Sequence, residues 1–132
     1  SRISRSTENC SRTGDLIMEK PHFFDANEMS WSPHPRFPNI LTKSFETRQS
    51  YSSASITLVQ VEVGGVIEQH VHEVETETVY VISGRGRLEL GDEEQLLSPG
   101  KGVTIPAGIP HSLHNTEDEP VQIFAIHIPP AF

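Results

Sequence analysis

From about Phe45 onward, hydrophobic and polar positions alternate in short runs divided by turn residues. Ile56–Val63 is rich in β-branched residues and stops at Gly64-Gly65. Val66–His72, Glu77–Ser83 and Arg85–Leu90 follow, and Gly91-Asp92 marks a hairpin. Glu94–Ser98 returns to Pro99-Gly100, and then come Gly102–Pro106, His111–Asn115 and Val121–Ile128. No segment holds a 3.6-residue apolar period over three turns. Many short strands at close spacing predict an all-β sandwich or barrel.

The first 44 residues have a different texture. Residues 1–20 are polar and rich in Ser and Arg, which predicts a loosely held leader, with Met18 a candidate natural start. Residues 21–44 carry Pro21, Pro33, Pro35 and Pro38, a density that excludes a long helix or a central strand. Phe23, Phe24, Trp31 and Phe37 are expected to pin this arm onto the barrel, which spans 45–132, or onto a partner. His22 and His34 are expected to be exposed loop histidines.

At 132 residues the chain supports one hydrophobic core. It has no run of about 20 apolar residues and no apolar signal region, so the expectation is a cytoplasmic protein without a membrane partner. A net charge of −8 repels phosphate backbones and argues against nucleic acid as a partner. The lone Cys10 excludes an intramolecular disulfide and a cysteine-based zinc site.

The chemistry concentrates between Gly64 and Asn115. His70 and His72 lie two apart on one predicted strand and so share a face. Glu77 has odd parity to them, which a turn within residues 73–76 corrects by returning Glu77 on the facing strand. His111 arrives from a third strand after the Pro106–Pro110 corner. Three imidazoles and one carboxylate make a mixed N/O donor set suited to one divalent transition metal: Fe, Mn, Ni, Zn, Co or Cu. It lacks the all-oxygen character expected for Ca or Mg. Four protein ligands on an octahedral ion leave two positions open, whereas a tetrahedral zinc site leaves none.

Other residues fill in the surroundings. Glu68 shares the parity of His70 and is a candidate catalytic acid or base, or an acceptor for a ligand N–H, against the plainer reading of a solvated carboxylate at the barrel rim. Glu73 and Glu75 are expected to be exposed. Val79, Val81 and Leu113 are expected to give an apolar wall suited to a small organic ligand. His114 and Tyr80 should face away, Arg85 and Arg87 should lie on a polar outer face, and His127 is expected to be a packed or surface histidine.

These spacings resemble the two motifs of the cupin superfamily. The first is Gly64, five residues, His70-x-His72, four residues, Glu77, six residues and Gly84. The second is Gly100, five residues, Pro106-x-Gly108, two residues, His111, three residues and Asn115. Where many cupins carry Asp after the second motif's first Gly, Lys101 stands here, a turn residue and not a ligand. The resemblance implies a double-stranded β-helix (jelly-roll) barrel, carried here with an N-terminal arm. It implies His70, His72, Glu77 and His111 as metal ligands, and a homodimer, for which the arm and the Ile56–Val63 strand are candidate crossing elements. It also implies activity as a dioxygenase, isomerase, cyclase, decarboxylase or lyase, or binding without turnover. Gly64, Gly84, Gly100 and Gly108 are expected at turns with positive φ.

Overall fold

The period-two runs become strands whose inward faces meet. A computed structural model describes residues 19–132. Cys10, Met18 and the expected leader up to residue 18 lie outside the described residues. After one 3-10 turn at Ala26–Glu28 come β1 (Ser32–Pro33), β2 (Ile40–Glu46), β3 (Ser55–Val61), β4 (Val66–His70) and β5 (Thr76–Ser83). β6 (Gly86–Leu90), β7 (Glu93–Leu97), β8 (Gly102–Ile105), β9 (His111–His114) and β10 (Val121–Ile128) complete the series. Antiparallel pairing gives a six-stranded sheet, β1-β2-β3-β10-β5-β8, and a four-stranded sheet, β4-β9-β6-β7. The chain crosses repeatedly between two facing sheets, which is the expected all-β jelly roll. Among the described residues no helix is long and apolar enough to cross a membrane.

Register decides what points inward. Across β5, β10 and β3, Val79 stands opposite Ala125, and Ala125 opposite Thr57. Partners directly opposite share a face, so Val79, Val81, Ile123, Ala125, Val59 and Val61 form one inner wall. Leu88, Leu113 and Leu97 face them from the smaller sheet. Ile40, Val61, Val81, Leu97 and Val121 are each at most 1% exposed. Burying a side chain of that size contributes about 1.5–3 kcal/mol. Tyr80 lies on the outer face and is exposed, as its parity predicts.

Turn chemistry closes the strands. Gly64, Gly84, Gly100 and Gly108 adopt φ of 78°, 76°, 90° and 89°, as expected. At Gly84 a Cβ would also run into the Pro120 carbonyl. Gly91-Asp92 is the two-residue tip between β6 and β7. Asn115 holds three segments together: Nδ2 donates to the carbonyls of Val61 (3.0 Å), Glu62 (3.2 Å) and Glu119 (2.7 Å), and Oδ1 accepts from Glu117 N (3.0 Å).

The arm departs from expectation in two ways. Residues 40–44 do not belong to it: they run inside β2, paired along β3. Proline density ends at Pro38, and Ile40 already starts a regular ladder. The rest of the arm packs on its own barrel through Phe24, Trp31 and Phe37, whereas Phe23, expected to help pin it, is fully exposed. Phe24 stacks on Phe45 at 4.4 Å, and Lys43 Nζ donates to Ala26 O at 2.6 Å while lying 4.5 Å over the Trp31 ring. Nor is the 56–63 strand a free crossing element, because β3 is paired on both sides, to β2 and β10.

Candidate metal centre

Three strands and one loop deliver the donors. His70 ends β4, Glu77 is the second residue of β5, and His111 opens β9. His72 lies just beyond β4, in the turn that returns the chain to β5. Its place is set from outside: Gly108 N, in the corner before β9, donates to His72 O at 2.8 Å. Thus the turn at 73–76 and the proline corner bring the four expected ligands together. One donor atom from each of His70, His72, Glu77 and His111 lies within 4.8 Å of all the others.

Hydrogen bonding fixes which ring nitrogen faces inward. Nδ1 of His70 lies 2.9 Å from Glu68 O, and Nδ1 of His111 lies 2.9 Å from Ile109 O. A carbonyl only accepts, so each Nδ1 carries the hydrogen and each Nε2 turns to the centre. His72 Nε2 is buried and has no hydrogen-bond partner. It stands 3.4 Å from Glu77 Oε1, and His111 Nε2 stands 3.1 Å from the same oxygen. Donors bound at about 2.1 Å to one ion stand at most roughly 4.2 Å apart, so small side-chain rotations suffice to close this shell. An orphaned inward nitrogen, two carbonyl-locked tautomers and a buried carboxylate are what a divalent transition metal requires.

The charges are consistent with that. Burial alone would raise the Glu77 carboxyl, but contacts with His111, His127 and His72 outweigh it and hold the group well below the ordinary carboxylate range. Burial works against a charged His111, yet its bonds to Glu77 and the Ile109 carbonyl raise it above an ordinary histidine. Burial lowers His70, and its cationic neighbours add to this against the pull of the Glu68 carbonyl.

The structure revises several expectations. Glu68 is exposed and does not line the cavity; its backbone carbonyl, not its carboxylate, serves His70. The cause is a β-bulge. β4 pairs Ile67 with Leu113 and then His70 with His111, so β4 spends one more residue than β9 between the two pairs. That extra residue cancels the parity that linked Glu68 to His70. His127, expected to be packed or at the surface, is buried at the site itself, with Nε2 3.4 Å from Glu77 Oε2 and its ring 4.8 Å from that of His72. Its register partner on β5 is Glu77. A histidine on the otherwise apolar face of Val121, Ile123 and Ala125 was the available signal.

Glu75 is half-buried, with Oε1 3.7 Å from His72 Nδ1, whereas Glu73 is exposed as expected. His34 is half-buried at the cavity edge, where Nδ1 accepts from Arg36 N (3.0 Å) and Phe37 N (3.4 Å). His22 is exposed and contacts Glu46 at 2.6 Å, away from the cavity. His114 faces outward to Ser112, and Arg87 pairs with Glu89 on the same outer face.

These donors line a cavity of about 340 Å³. Val59, Ile67, Val79, Leu88, Leu113 and Ile123 supply its apolar walls. Val81, expected in that wall, lies deeper, in the sealed core. The exposed Arg36 and Phe132 mark the mouth.

A two-sheet jelly roll with an inward His/Glu cluster defines a class of small β-barrel proteins with a candidate metal centre. The chain belongs to the cupin family: the cupin domain profile matches residues 57–127. An uncharacterized protein of Methanocaldococcus jannaschii is 31% identical over 70 residues, 53% of this chain and 56% of that protein. Protein SchB of Streptomyces halstedii is 32% identical over 72 residues, 54% of this chain and 52% of SchB. The matched part therefore spans only about half the length of these two curated relatives. Among solved structures, KdgF from Halomonas sp. aligns with a TM-score of 0.72 at 26% identity, covering 82% of this chain and 94% of KdgF. An RmlC-like cupin from Shewanella frigidimarina aligns with a TM-score of 0.73 at 12% identity, covering 86% of this chain and 96% of that one, a likeness of fold.

Proposed function

We propose that this cupin binds one divalent transition metal through His70, His72, Glu77 and His111 and acts on a small organic molecule held in the barrel. The observation that carries the reading is the join between cluster and cavity. Three imidazoles and one carboxylate converge in the wall of an otherwise apolar-lined space of about 340 Å³. A purely structural ion needs no such space. Once bound, the metal would supply Lewis acidity toward an oxygen of substrate or water. The chain's own residues do the rest. Glu68 O and Ile109 O hold two imidazoles in one tautomer, His127 and Glu77 steady each other, and the valine and leucine walls exclude water from the ligand. Oxygenase-like or isomerase-like chemistry suits such a site.

A second reading is a cupin that binds or senses a metabolite without turnover. It is favoured by the position of Glu68, which leaves the cavity without a free carboxylic acid–base group beyond Glu75 at its edge. Elemental analysis of protein purified without a nickel column tests the common part: close to one metal per chain is expected. Uptake of dioxygen or product formation with candidate substrates then separates enzyme from binder. We also propose that two copies associate through the outer face of the larger sheet, where Tyr80, Ile82 and Ile128 are 49%, 39% and 58% exposed. Light scattering reading a monomer would refute it.

A further inference from the structure

Two polar atoms in the cavity wall take no part in the candidate metal centre. Thr57 Oγ1 and His127 Nδ1 are buried and have no hydrogen-bond partner. Their residues are 2% and 3% exposed and both line the cavity. Each such orphan costs about 1–3 kcal/mol, and native interiors contain few of them. Two on one wall point to a ligand that satisfies both.

The register places them side by side. Thr57 stands opposite Ala125, and His127 follows Ala125 by two residues on the same face. Diagonal neighbours of this kind, about 7–8 Å apart at the backbone, reach one small group between them. Ser55, directly opposite His127, is already engaged: its Oγ accepts from Ala131 N at 3.1 Å.

The chemistry of the ligand follows from the two atoms. Because His127 Nε2 faces the Glu77 carboxylate at 3.4 Å, the ring hydrogen belongs on Nε2 and Nδ1 is an acceptor. The Thr57 hydroxyl donates as well as accepts. One organic hydroxyl satisfies both, giving its hydrogen to His127 Nδ1 and taking that of Thr57. A carboxylate oxygen in the same place would meet the lone pair of Nδ1. At the mouth, the exposed Arg36 guanidinium lies 4.9 Å over the Phe37 ring. The arginine ion pairs among the described residues belong to Arg85 and Arg87, so Arg36 is open to an anion.

We infer that the cavity takes a small organic acid bearing a hydroxyl group, with that hydroxyl seated between Thr57 Oγ1 and His127 Nδ1. The inference rests on the proposed use of the cavity for an organic molecule, not on the ion. Mandelate and phenylacetate differ by one such hydroxyl and make the test. Calorimetric titration of the full chain is expected to show mandelate binding at least about tenfold tighter, since a site built around a hydroxyl rejects the analogue that lacks it.

Thr57→Val keeps the shape and removes the hydroxyl; it is expected to shrink that preference below threefold, with metal content unchanged. His127→Gln, which keeps a polar atom near the place of Nε2, should do the same. His127→Asn, which keeps one near Nδ1, should retain most of the preference. Equal or absent binding of the two acids by the wild-type chain overturns the subsite. A preference that survives Thr57→Val overturns it too, and assigns the hydroxyl to chelation at the metal centre. Failure of the wild-type chain to hold metal refutes the metal reading alone, because the hydroxyl preference is measured separately.

Discussion

The two ends of the barrel interior are built from the same strands and differ in what they bury. On β5, Glu77 and Val81 share one face four residues apart. Around Val81 the wall closes, with Ile40, Val61, Leu97 and Val121 all at or below 1% exposure. Around Glu77 gather His111 and His127, polar side chains only 6% and 3% exposed, beside an open space. One end is filled by shape and the other is held by charge and hydrogen bonds. The sealed end supplies stability, and the polar end draws on it, since a buried carboxylate ringed by imidazoles is at best a weak contributor to folding.

Substitutions at each end should therefore separate metal binding from stability. The largest effect is expected from His72→Ala and His111→Ala: each should abolish stoichiometric metal uptake, read by elemental analysis, while the chain still melts cooperatively. Full occupancy in both variants would remove the assignment. Leu97→Ala at the sealed end should lower unfolding stability by about 2–5 kcal/mol in urea titrations, with metal stoichiometry intact. Next comes Asn115→Ala, which strands the carbonyls of Val61, Glu62 and Glu119; a loss of about 1–3 kcal/mol is expected in the same titration. Glu68→Gln should be smallest, within about 0.5 kcal/mol and without change in metal content. A clear drop in metal or turnover there would restore a chemical role to its carboxylate.

Much of this contrast was legible in the residue pattern. β-branched alternation and Gly/Pro turns specify the strands, and the spacing of His70, His72, Glu77 and His111 specifies their convergence. Three things were not legible. Parity counting assumes an unbroken ladder, so the bulge after Ile67 misplaced Glu68. An inward histidine among valines and isoleucines looks like packing until its cross-strand partner is known, and register with Glu77 is a long-range fact. His34, Phe37 and Glu75 reach the cavity from loops, whose paths depend on the barrel they cover and not on local propensity.

The bulge in β4 takes up one residue without changing the face on which the ligand stands. Deleting one residue between Ile67 and His70 would mend the ladder without shortening the fold appreciably. It would also leave the histidine opposite His111 and facing inward, because Ile67 and His70 already share that face although they lie three apart in the chain. A single-codon loss at this point would thus leave a soundly built barrel with its ligand set complete, a change that neither melting curves nor metal analysis would register.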